Sequence, residues 1–113
     1  MNGEPSHFEI GVPDAARARR FYAQLLDWDF GETQGDDAWV RTPAIPGGIH
    51  GDDPDASIEL YFRVPDIEEA VRRVRELGGE AGDPGPEGPT GRYVYSCRDD
   101  QGVRFGLHQP PRS

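Results

Sequence analysis

The chain has 113 residues, enough for one domain, with a formal net charge of −9, 35% hydrophobic residues, 15 glycines and 11 prolines. Every basic residue is an arginine, and 12 of them beside 21 acidic residues do not form the basic surface that nucleic-acid binding needs. The single cysteine excludes an internal disulfide, and no apolar run has the length that crosses a bilayer. We therefore expect a cytoplasmic protein that binds neither nucleic acid nor membrane.

An alternating segment opens the chain and leads into a helix. Every second residue of the segment 6–12 is apolar, which predicts a strand with one buried face. Asp14 has the side chain of a helix N-cap, so a helix is expected over residues 15–26. Its apolar residues at helical spacing predict a buried stripe: Ala15, Ala18, Phe21, Tyr22, Leu25 and Leu26.

Three more strands are expected before the middle of the chain. The first begins at residues 28–30 and the second covers residues 38–42, with a turn between them at Gly35-Asp36-Asp37. The Gly- and Pro-rich segment 43–51 predicts a short edge strand around Ile49.

The segment 57–77 repeats the beginning of the chain. Aligning Val64-Pro65-Asp66 with Val12-Pro13-Asp14 needs a shift of 66 − 14 = 52 residues and places Glu59 opposite His7. A repeat of this size indicates two copies of one supersecondary unit.

The second copy predicts the same order of elements. A strand at 58–64 precedes a helix that begins with a capping box, Asp66 with Glu69. The predicted buried stripe of this helix is Ile67, Ala70, Val71, Val74 and Leu77. Strands follow at 92–97 and 103–108.

The repeat predicts the domain organisation and fold class. We expect a single domain over residues 1–113, with module one at about 6–51, a linker at about 52–56 and module two at about 57–109. The predicted class is α+β, two βαβββ modules in tandem whose curved antiparallel or mixed sheets form a cup with the helices outside.

The strand faces turned away from the helices carry the candidate site. They hold His7, Glu9, Glu59, Tyr61, Arg63, Arg104 and His108. The other strand aromatics with the potential to stack on a planar ligand are Trp39, Tyr93 and Tyr95. If both modules turn these faces to one cavity, they make a ligand pocket, whereas the alternative is the solvated side of an antiparallel sheet.

Several of these residues have a structural alternative to a functional role. His7 is either a ligand or a partner in a cross-strand hydrogen bond. Glu59 is either half of an ion pair with Arg63 or Arg104, or a general base if burial raises its pKa. His108 is expected to be exposed, and His50 is expected to be solvated in a loop.

The chain resembles the vicinal oxygen chelate superfamily of glyoxalase I, bleomycin-resistance proteins and extradiol dioxygenases. The match is best to its short single-domain glyoxalase-like members, and it covers nearly the whole chain. The residues that carry it are His7-Phe8-Glu9-Ile10, Asp14, Phe21-Tyr22, Pro46-Gly47-Gly48-Ile49, Leu60-Tyr61-Phe62-Arg63-Val64, Asp66-Ile67, Asp100-Gln101-Gly102 and Phe105-Gly106-Leu107. The resemblance implies paired βαβββ modules, which agrees with the repeat.

The resemblance also implies where a divalent metal would bind. Family enzymes hold it with side chains from the first and last strands of each module, positions that match His7 and Glu59 on the first strands. The position that usually supplies a Glu in the last strand is Gly106, and the remaining position lies near His50 or Asp52. Because a catalytic metal needs about three protein ligands, no metal is favoured. The set to test, if one binds, is His7, Glu59 and His50.

These observations leave three hypotheses for the function. The leading one is metal-independent binding of a small organic molecule in an aromatic and polar cup, for sequestration, carriage, resistance or an accessory metabolic step. The second is a metal-dependent lyase, isomerase or dioxygenase that uses His7 and Glu59. The third is metal-free acid–base catalysis by Glu59 or His7. A homodimer is expected from the resemblance and from the predicted open edge near residues 43–51.

Overall fold

The computed structural model describes residues 3–34 and 37–111. The chain divides into two compact units: the N-terminal unit, His7–Glu59, and the C-terminal unit, Met1–Ser6 with Leu60–Ser113. The described residues form β1 (Pro5–Gly11), α1 (Ala15–Leu26), β2 (Asp29–Gln34), β3 (Asp37–Arg41), β4 (Gly47–His50), β5 (Ser57–Arg63), α2 (Ile67–Glu76), β6 (Glu80–Ala81), β7 (Arg92–Arg98) and β8 (Arg104–Gln109). Neither helix in this part of the chain is long and apolar enough to cross a membrane.

Both units have the same strand order. In the N-terminal unit β2 pairs with β3 and β3 with β4 in antiparallel fashion, and β4 pairs with β1 in parallel. In the C-terminal unit β6 pairs with β7 and β7 with β8 in antiparallel fashion, and β8 pairs with β5 in parallel. The α+β class and the two βαβββ modules predicted from the repeat are therefore confirmed.

One strand of the N-terminal unit lies elsewhere than predicted. Residues 47–50 form β4, which pairs with β1 on one side and β3 on the other, so the prediction of an edge strand around Ile49 was wrong. Its glycines suggested an edge, but they serve a sheet interior in which neighbouring side chains lie over them. The predicted turn at Gly35-Asp36 lies outside the described residues.

Helix α1 packs on its sheet through small residues. Asp14 caps it by accepting a hydrogen bond from the Arg17 backbone N–H. Ala15 and Ala18 are buried, and Tyr22 packs against the core cluster. This cluster consists of Phe8, Ile10, Ala15, Ala18, Val40 and Ile49.

The buried stripe predicted for α1 was too long. Phe21, Leu25 and Leu26 are exposed. The packed residues lie nearer the beginning of the helix, so its C-terminal turn extends past the core. Leu77 after α2 was also predicted to be buried and is exposed.

Helix α2 buries a short stripe and begins at its predicted cap. The Asp66 side chain accepts a hydrogen bond from the Glu69 backbone N–H at 3.2 Å. The Glu69 side chain forms an ion pair with Arg72. Gly78, at φ +91°, follows the end of the helix in the left-handed region that glycine adopts readily. Ile67 and Val71 of α2 form a core cluster with the sheet residues Val94, Cys97 and Leu107.

A glycine on the last strand of each unit makes room for a side chain of the first strand. Glu9 lies opposite Gly48 in the β1–β4 pair, and Tyr61 lies opposite Gly106 in the β5–β8 pair. A Cβ on Gly48 would come within 2.7 Å of Glu9 Oε1, and one on Gly106 within 2.5 Å of the Tyr61 ring. Real Cβ atoms essentially never approach so closely, so a methyl group at either position would displace the Glu9 carboxylate or the Tyr61 ring.

We predict that Asp66→Ala lowers the free energy of unfolding by about 1 kcal/mol, because the Glu69 backbone N–H loses its acceptor. Urea unfolding measures the change, and Asp66→Asn, which keeps an acceptor, should lose much less. Equal losses in both variants would show that the hydrogen-bond acceptor contributes nothing beyond the carboxylate charge, and no loss in Asp66→Ala would show that the cap contributes nothing.

We predict that Gly106→Ala lowers the free energy of unfolding by about 1–3 kcal/mol through overpacking against the buried Tyr61 ring. Gly85→Ala is the matched control, since its new Cβ would meet only the Tyr93 backbone oxygen at 3.5 Å. In a Tyr61→Ala background the cost of Gly106→Ala should disappear, and an additive double-mutant cycle would contradict this account.

Candidate functional site

The polar face of the N-terminal unit follows from the alternation of β1. Phe8 and Ile10 lie in the core cluster, so His7 and Glu9 project from the opposite side of the sheet. His50 lies opposite Gly11 in the β1–β4 pair. The sheet therefore brings two histidines and a carboxylate together on adjacent strands.

Four side chains form a continuous hydrogen-bonded chain on this face, which we call the histidine–carboxylate chain: His7, Glu9, His50 and Asp53. Glu9 Oε1 lies 3.1 Å from His7 Nε2, and Glu9 Oε2 lies 2.7 Å from His50 Nδ1. His50 Nε2 lies 3.1 Å from Asp53 Oδ2. A bridging carboxylate between two imidazoles fixes the orientation of both rings.

His50 is poised to carry a proton. Partial burial lowers its pKa, but hydrogen bonds to the carboxylates of Glu9 and Asp53 outweigh that effect, so that the pKa of His50 is raised above its usual value. An imidazole can donate to two carboxylates at once only when both ring nitrogens are protonated. The arrangement of His50 is therefore that of an imidazolium.

The histidine–carboxylate chain is buried at His7 and partly exposed at His50. The His7 side chain is 4% exposed, and its ring meets Trp39 edge to face at a centroid distance of 5.9 Å. The His50 side chain is 39% exposed, so solvent and small molecules reach this end. A Cβ on Gly11 would meet both His50 and Asp53, so this glycine leaves the room that their contact occupies.

The polar face of the C-terminal unit carries an aromatic cluster instead, which we call the tyrosine stack: Tyr61, Tyr93, Tyr95 and His108. Tyr93 stacks on His108 at 4.6 Å and 8°, and on Tyr95 at 5.6 Å and 18°. Tyr61, which is 2% exposed, meets Tyr93 and Tyr95 edge to face. Tyr95 is 62% exposed and forms the solvent-exposed side of the stack.

Hydrogen bonds hold the other end of the stack. His108 Nδ1 lies 2.9 Å from the Ser6 hydroxyl, and His108 Nε2 lies 2.8 Å from the Thr90 carbonyl oxygen. The Tyr93 hydroxyl donates to the Thr90 hydroxyl at 2.9 Å. His108 is half-buried in this setting, contrary to the exposure that we predicted from its place near the chain end.

The sequence prediction for His50 was also wrong, since this residue lies on β4 and contacts two carboxylates rather than standing solvated in a loop. Glu59 is half-buried on β5, and its predicted ion pair stays a prediction. The Arg63 backbone N–H donates to the Glu4 carbonyl oxygen. Arg104 is exposed and lies opposite Arg98 in the β7–β8 pair.

Our sequence analysis placed Glu9 on the candidate face but gave it no role, and it did not identify Asp53. A signal for Glu9 was present, because Gly48-Ile49-His50 and Gly106-Leu107-His108 repeat one pattern at a spacing of 58 residues. Aligning the last strands on this pattern makes His50 and His108 equivalent residues of the two modules. It also draws attention to Glu9 and Tyr61, which lie opposite the two glycines. Asp53 lies beyond the repeated strands, and no pattern marked it.

The register tests whether the metal donor set of related enzymes fits this chain. Glu9 and Tyr61 are equivalent residues of the two first strands, and they lie opposite Gly48 and Gly106 on the two last strands. The module-one equivalent of Gly106 is therefore Gly48, and not His50 or Asp52. Glycine offers no side-chain donor at either position, and Glu9 and Tyr61 occupy the space beside them. Among the residues that the structure describes, no three His, Cys, Asp or Glu side chains are arranged to hold a metal ion. The family's donor set therefore does not fit.

Known structures share this fold. Methylmalonyl-CoA epimerase from Mycobacterium tuberculosis is 22% identical at a TM-score of 0.69, with 97% of this chain and 89% of that chain covered. The epimerase of Streptomyces coelicolor, in complex with 2-nitronate-propionyl-CoA, is 16% identical at a TM-score of 0.70, with 99% and 100% covered. A hypothetical protein from Bacillus halodurans C-125 is 16% identical at a TM-score of 0.73, with 98% and 96% covered.

The family comparison extends over most of the chain. A search of curated proteins found no match. The family model described as a glyoxalase-like domain matches residues 7–108, from His7 on β1 to His108 on β8. With the two βαβββ modules described above, this match shows that the chain belongs to the glyoxalase-like domain family of the vicinal oxygen chelate superfamily.

Proposed function

We propose that this protein binds a small planar organic molecule at the tyrosine stack, without a metal ion. One observation carries the proposal: Tyr95 belongs to an ordered cluster of rings and is 62% exposed. A planar ligand on Tyr95 would add one more ring to a surface whose geometry is already set by Tyr61, Tyr93 and His108. Such preorganisation lowers the entropy cost of binding.

The chemistry of the stack selects the ligand class. Tyrosine rings present electron-rich faces, and offset stacking on them favours flat, aromatic or conjugated molecules. Thr90 and Ser6 place hydroxyl groups beside the stack, and both hydroxyls already have hydrogen-bond partners. The complex of the Streptomyces coelicolor epimerase with 2-nitronate-propionyl-CoA supports a small organic ligand in this fold.

Metal independence is the second part of the proposal. Its support is the pair of glycines at the last-strand positions, which leaves His7 and Glu59 as the remaining donors of the family pattern. A metal-dependent lyase, isomerase or dioxygenase would need a donor set drawn from elsewhere in the chain. A homodimer and a cytoplasmic location remain proposals that rest on the resemblance and the composition.

We predict that Tyr95→Ala weakens the binding of planar aromatic compounds by up to about tenfold, because ring stacking contributes about 0.5–1.5 kcal/mol beyond buried area. A panel of naphthol and quinoline derivatives, titrated against the intrinsic fluorescence of the protein, provides the measurement. Phe21→Ala is the matched control, since Phe21 is 60% exposed but lies on α1.

Two outcomes of that titration would count against the stack. If Phe21→Ala and Tyr95→Ala lose affinity equally, the compounds bind exposed rings without a site. If neither variant changes the affinity of a compound that binds, the site lies elsewhere.

We predict that protein purified without an affinity tag contains no stoichiometric metal. Adding Ni²⁺, Co²⁺, Mn²⁺, Fe²⁺ or Zn²⁺ should leave the melting temperature unchanged, because a metal bound to the folded state alone would raise it. Stoichiometric metal that is lost in His7→Ala would favour the metal-dependent enzyme.

A further inference from the structure

We propose that two copies of this chain associate through the exposed face of α1, with the two helices antiparallel. This surface, which we call the α1 face, consists of the exposed residues Arg17, Arg20, Phe21 and Leu25. Arg17, Phe21 and Leu25 follow one another at a spacing of four residues, so they lie along one side of the helix. The interface uses no residue of the tyrosine stack or of the histidine–carboxylate chain, and it does not depend on ligand binding.

The α1 face presents an aromatic ring where the equivalent helix presents a charge. Phe21 is 60% exposed and Leu25 is 62% exposed. The module repeat makes Arg73 of α2 the equivalent of Phe21. Arg73 forms an ion pair with Glu76 in its own helix, at 3.3 Å. The outer surface of α2 is therefore suited to water, whereas α1 exposes two large apolar side chains on adjacent turns.

Other rings hold Phe21 in place. Phe21 meets Tyr22 edge to face at a centroid distance of 5.2 Å, and Tyr22 stacks on Trp28 at 5.2 Å and 19°. Tyr22 and Trp28 both pack against the core cluster of the N-terminal unit. A ring that is already ordered loses little conformational entropy when a partner covers it, and aromatic residues are enriched in interfaces.

The charges of α1 oppose its own helix dipole. The N-terminal end of a helix favours negative side chains, and its C-terminal end favours positive ones. Helix α1 has no acidic residue in its first turn and no basic residue in its last turn. Arg17 lies in the first turn instead, and Asp27 caps the end. Helix α2 has the ordinary arrangement, with acidic residues in its first turn and arginines in its last.

An antiparallel second copy would turn this arrangement into an attraction. A two-fold axis between Phe21 and Leu25 would place Phe21 of each copy against Leu25 of the other. The arginines at the beginning of each helix would then lie beside the C-terminal end of the other helix, where Asp27 and Asp29 follow. The α1 face is thus self-complementary in charge and in apolar surface, as an interface between identical copies requires.

The distribution of charge in the N-terminal unit favours this occupant over a lipid surface. Three of the four arginines in residues 7–59 lie on α1, and none of the eleven acidic residues does. An anionic membrane would attract Arg17 and Arg20 but repel Asp27 and Asp29 beside them. A second copy meets both sets of charges with their opposites.

The proposed interface lies on a helix and is small. β4 is paired on both sides, so it does not offer the open sheet edge that we expected a dimer to cover. A few side chains from each copy bury less than the standard interface area of about 1,600 Å². We therefore expect a dimer that dissociates on dilution.

Sedimentation velocity of the intact chain, over a range of protein concentrations, measures this association. The protein should convert from monomer to dimer as its concentration rises. Phe21→Ala and Leu25→Glu each change the interface twice, so each should raise the dissociation constant about tenfold or more. Leu77→Glu is the matched control, because Leu77 is the equivalent of Leu25 in the repeat and is 65% exposed. A monomer at every concentration, or an equal loss in Leu77→Glu, would overturn the proposal.

A pair of charge variants tests the antiparallel orientation. A chain with Arg17→Glu and Arg20→Glu should not associate with itself, and neither should a chain with Asp27→Lys, because like charges would face each other. An equimolar mixture of the two should form a mixed dimer, since each glutamate then meets a lysine and each arginine meets an aspartate. Misfolding of either variant cannot produce this recovery. A mixture that stays monomeric would overturn the orientation and with it the proposal.

A flotation assay distinguishes the second copy from a membrane. Vesicles of equal parts phosphatidylcholine and phosphatidylserine should leave the intact protein unbound. Binding to these vesicles that is lost in Phe21→Ala would show that the α1 face meets lipid, and would overturn the proposal. A dimer that persists unchanged in Phe21→Ala, Leu25→Glu and both charge variants would place the interface elsewhere and overturn it as well.

Discussion

The close approach of a first-strand side chain to a last-strand glycine is the constraint on which both candidate surfaces depend. In both parallel strand pairs the first-strand side chain leans over the last-strand residue beside it, so a Cβ at that residue would collide with it. Gly48 and Gly106 avoid that collision. Glu9 consequently lies low enough to meet two imidazoles, and Tyr61 lies low enough to form the base of a ring cluster.

The same backbone thus carries two kinds of chemistry. In the N-terminal unit the residue beside Gly48 is the carboxylate Glu9. His50, two positions after Gly48, accordingly joins the histidine–carboxylate chain through Glu9. In the C-terminal unit the residue above the glycine is an aromatic ring, and the corresponding histidine, His108, stacks on Tyr93. By the resemblance, the two glycines occupy positions at which family enzymes hold a metal, so neither position supplies a side-chain donor.

The sequence was informative about elements whose signals are local. The repeat predicted both modules, and the Asp14 and Asp66 caps predicted where the helices begin. The extent of helix burial was not predictable in this way, because an apolar side chain such as Leu25 is buried only if the sheet reaches it. The same holds for β4, whose position inside the sheet depends on pairing with β1, a strand about 40 residues earlier in the chain.

The candidate surfaces were predicted in part for a related reason. Strand alternation placed His7 and Tyr61 on the faces opposite the helices, but alternation says nothing of what a side chain touches. His50 and His108 were judged from their positions near glycines and near the chain end, whereas their contacts depend on strands and loops that are distant in sequence. The repeated Gly-Ile-His and Gly-Leu-His segments indicate that His50 and His108 are equivalent residues of the two modules.

The Gly- and Pro-rich loop at residues 82–91 is more restrained than its composition suggests. Arg75 on α2 donates to the Ala81 carbonyl oxygen and to Asp83, and Arg92 donates to the Gly85 carbonyl oxygen. The far end of the loop carries Thr90, whose two oxygens hold Tyr93 and His108. Guanidinium groups therefore remove conformational entropy from the segment that supports the rings. Amide hydrogens of this loop should therefore exchange slowly while the stack is ordered. A ligand that displaced the rings would increase hydrogen exchange in the part of the loop that contacts α2.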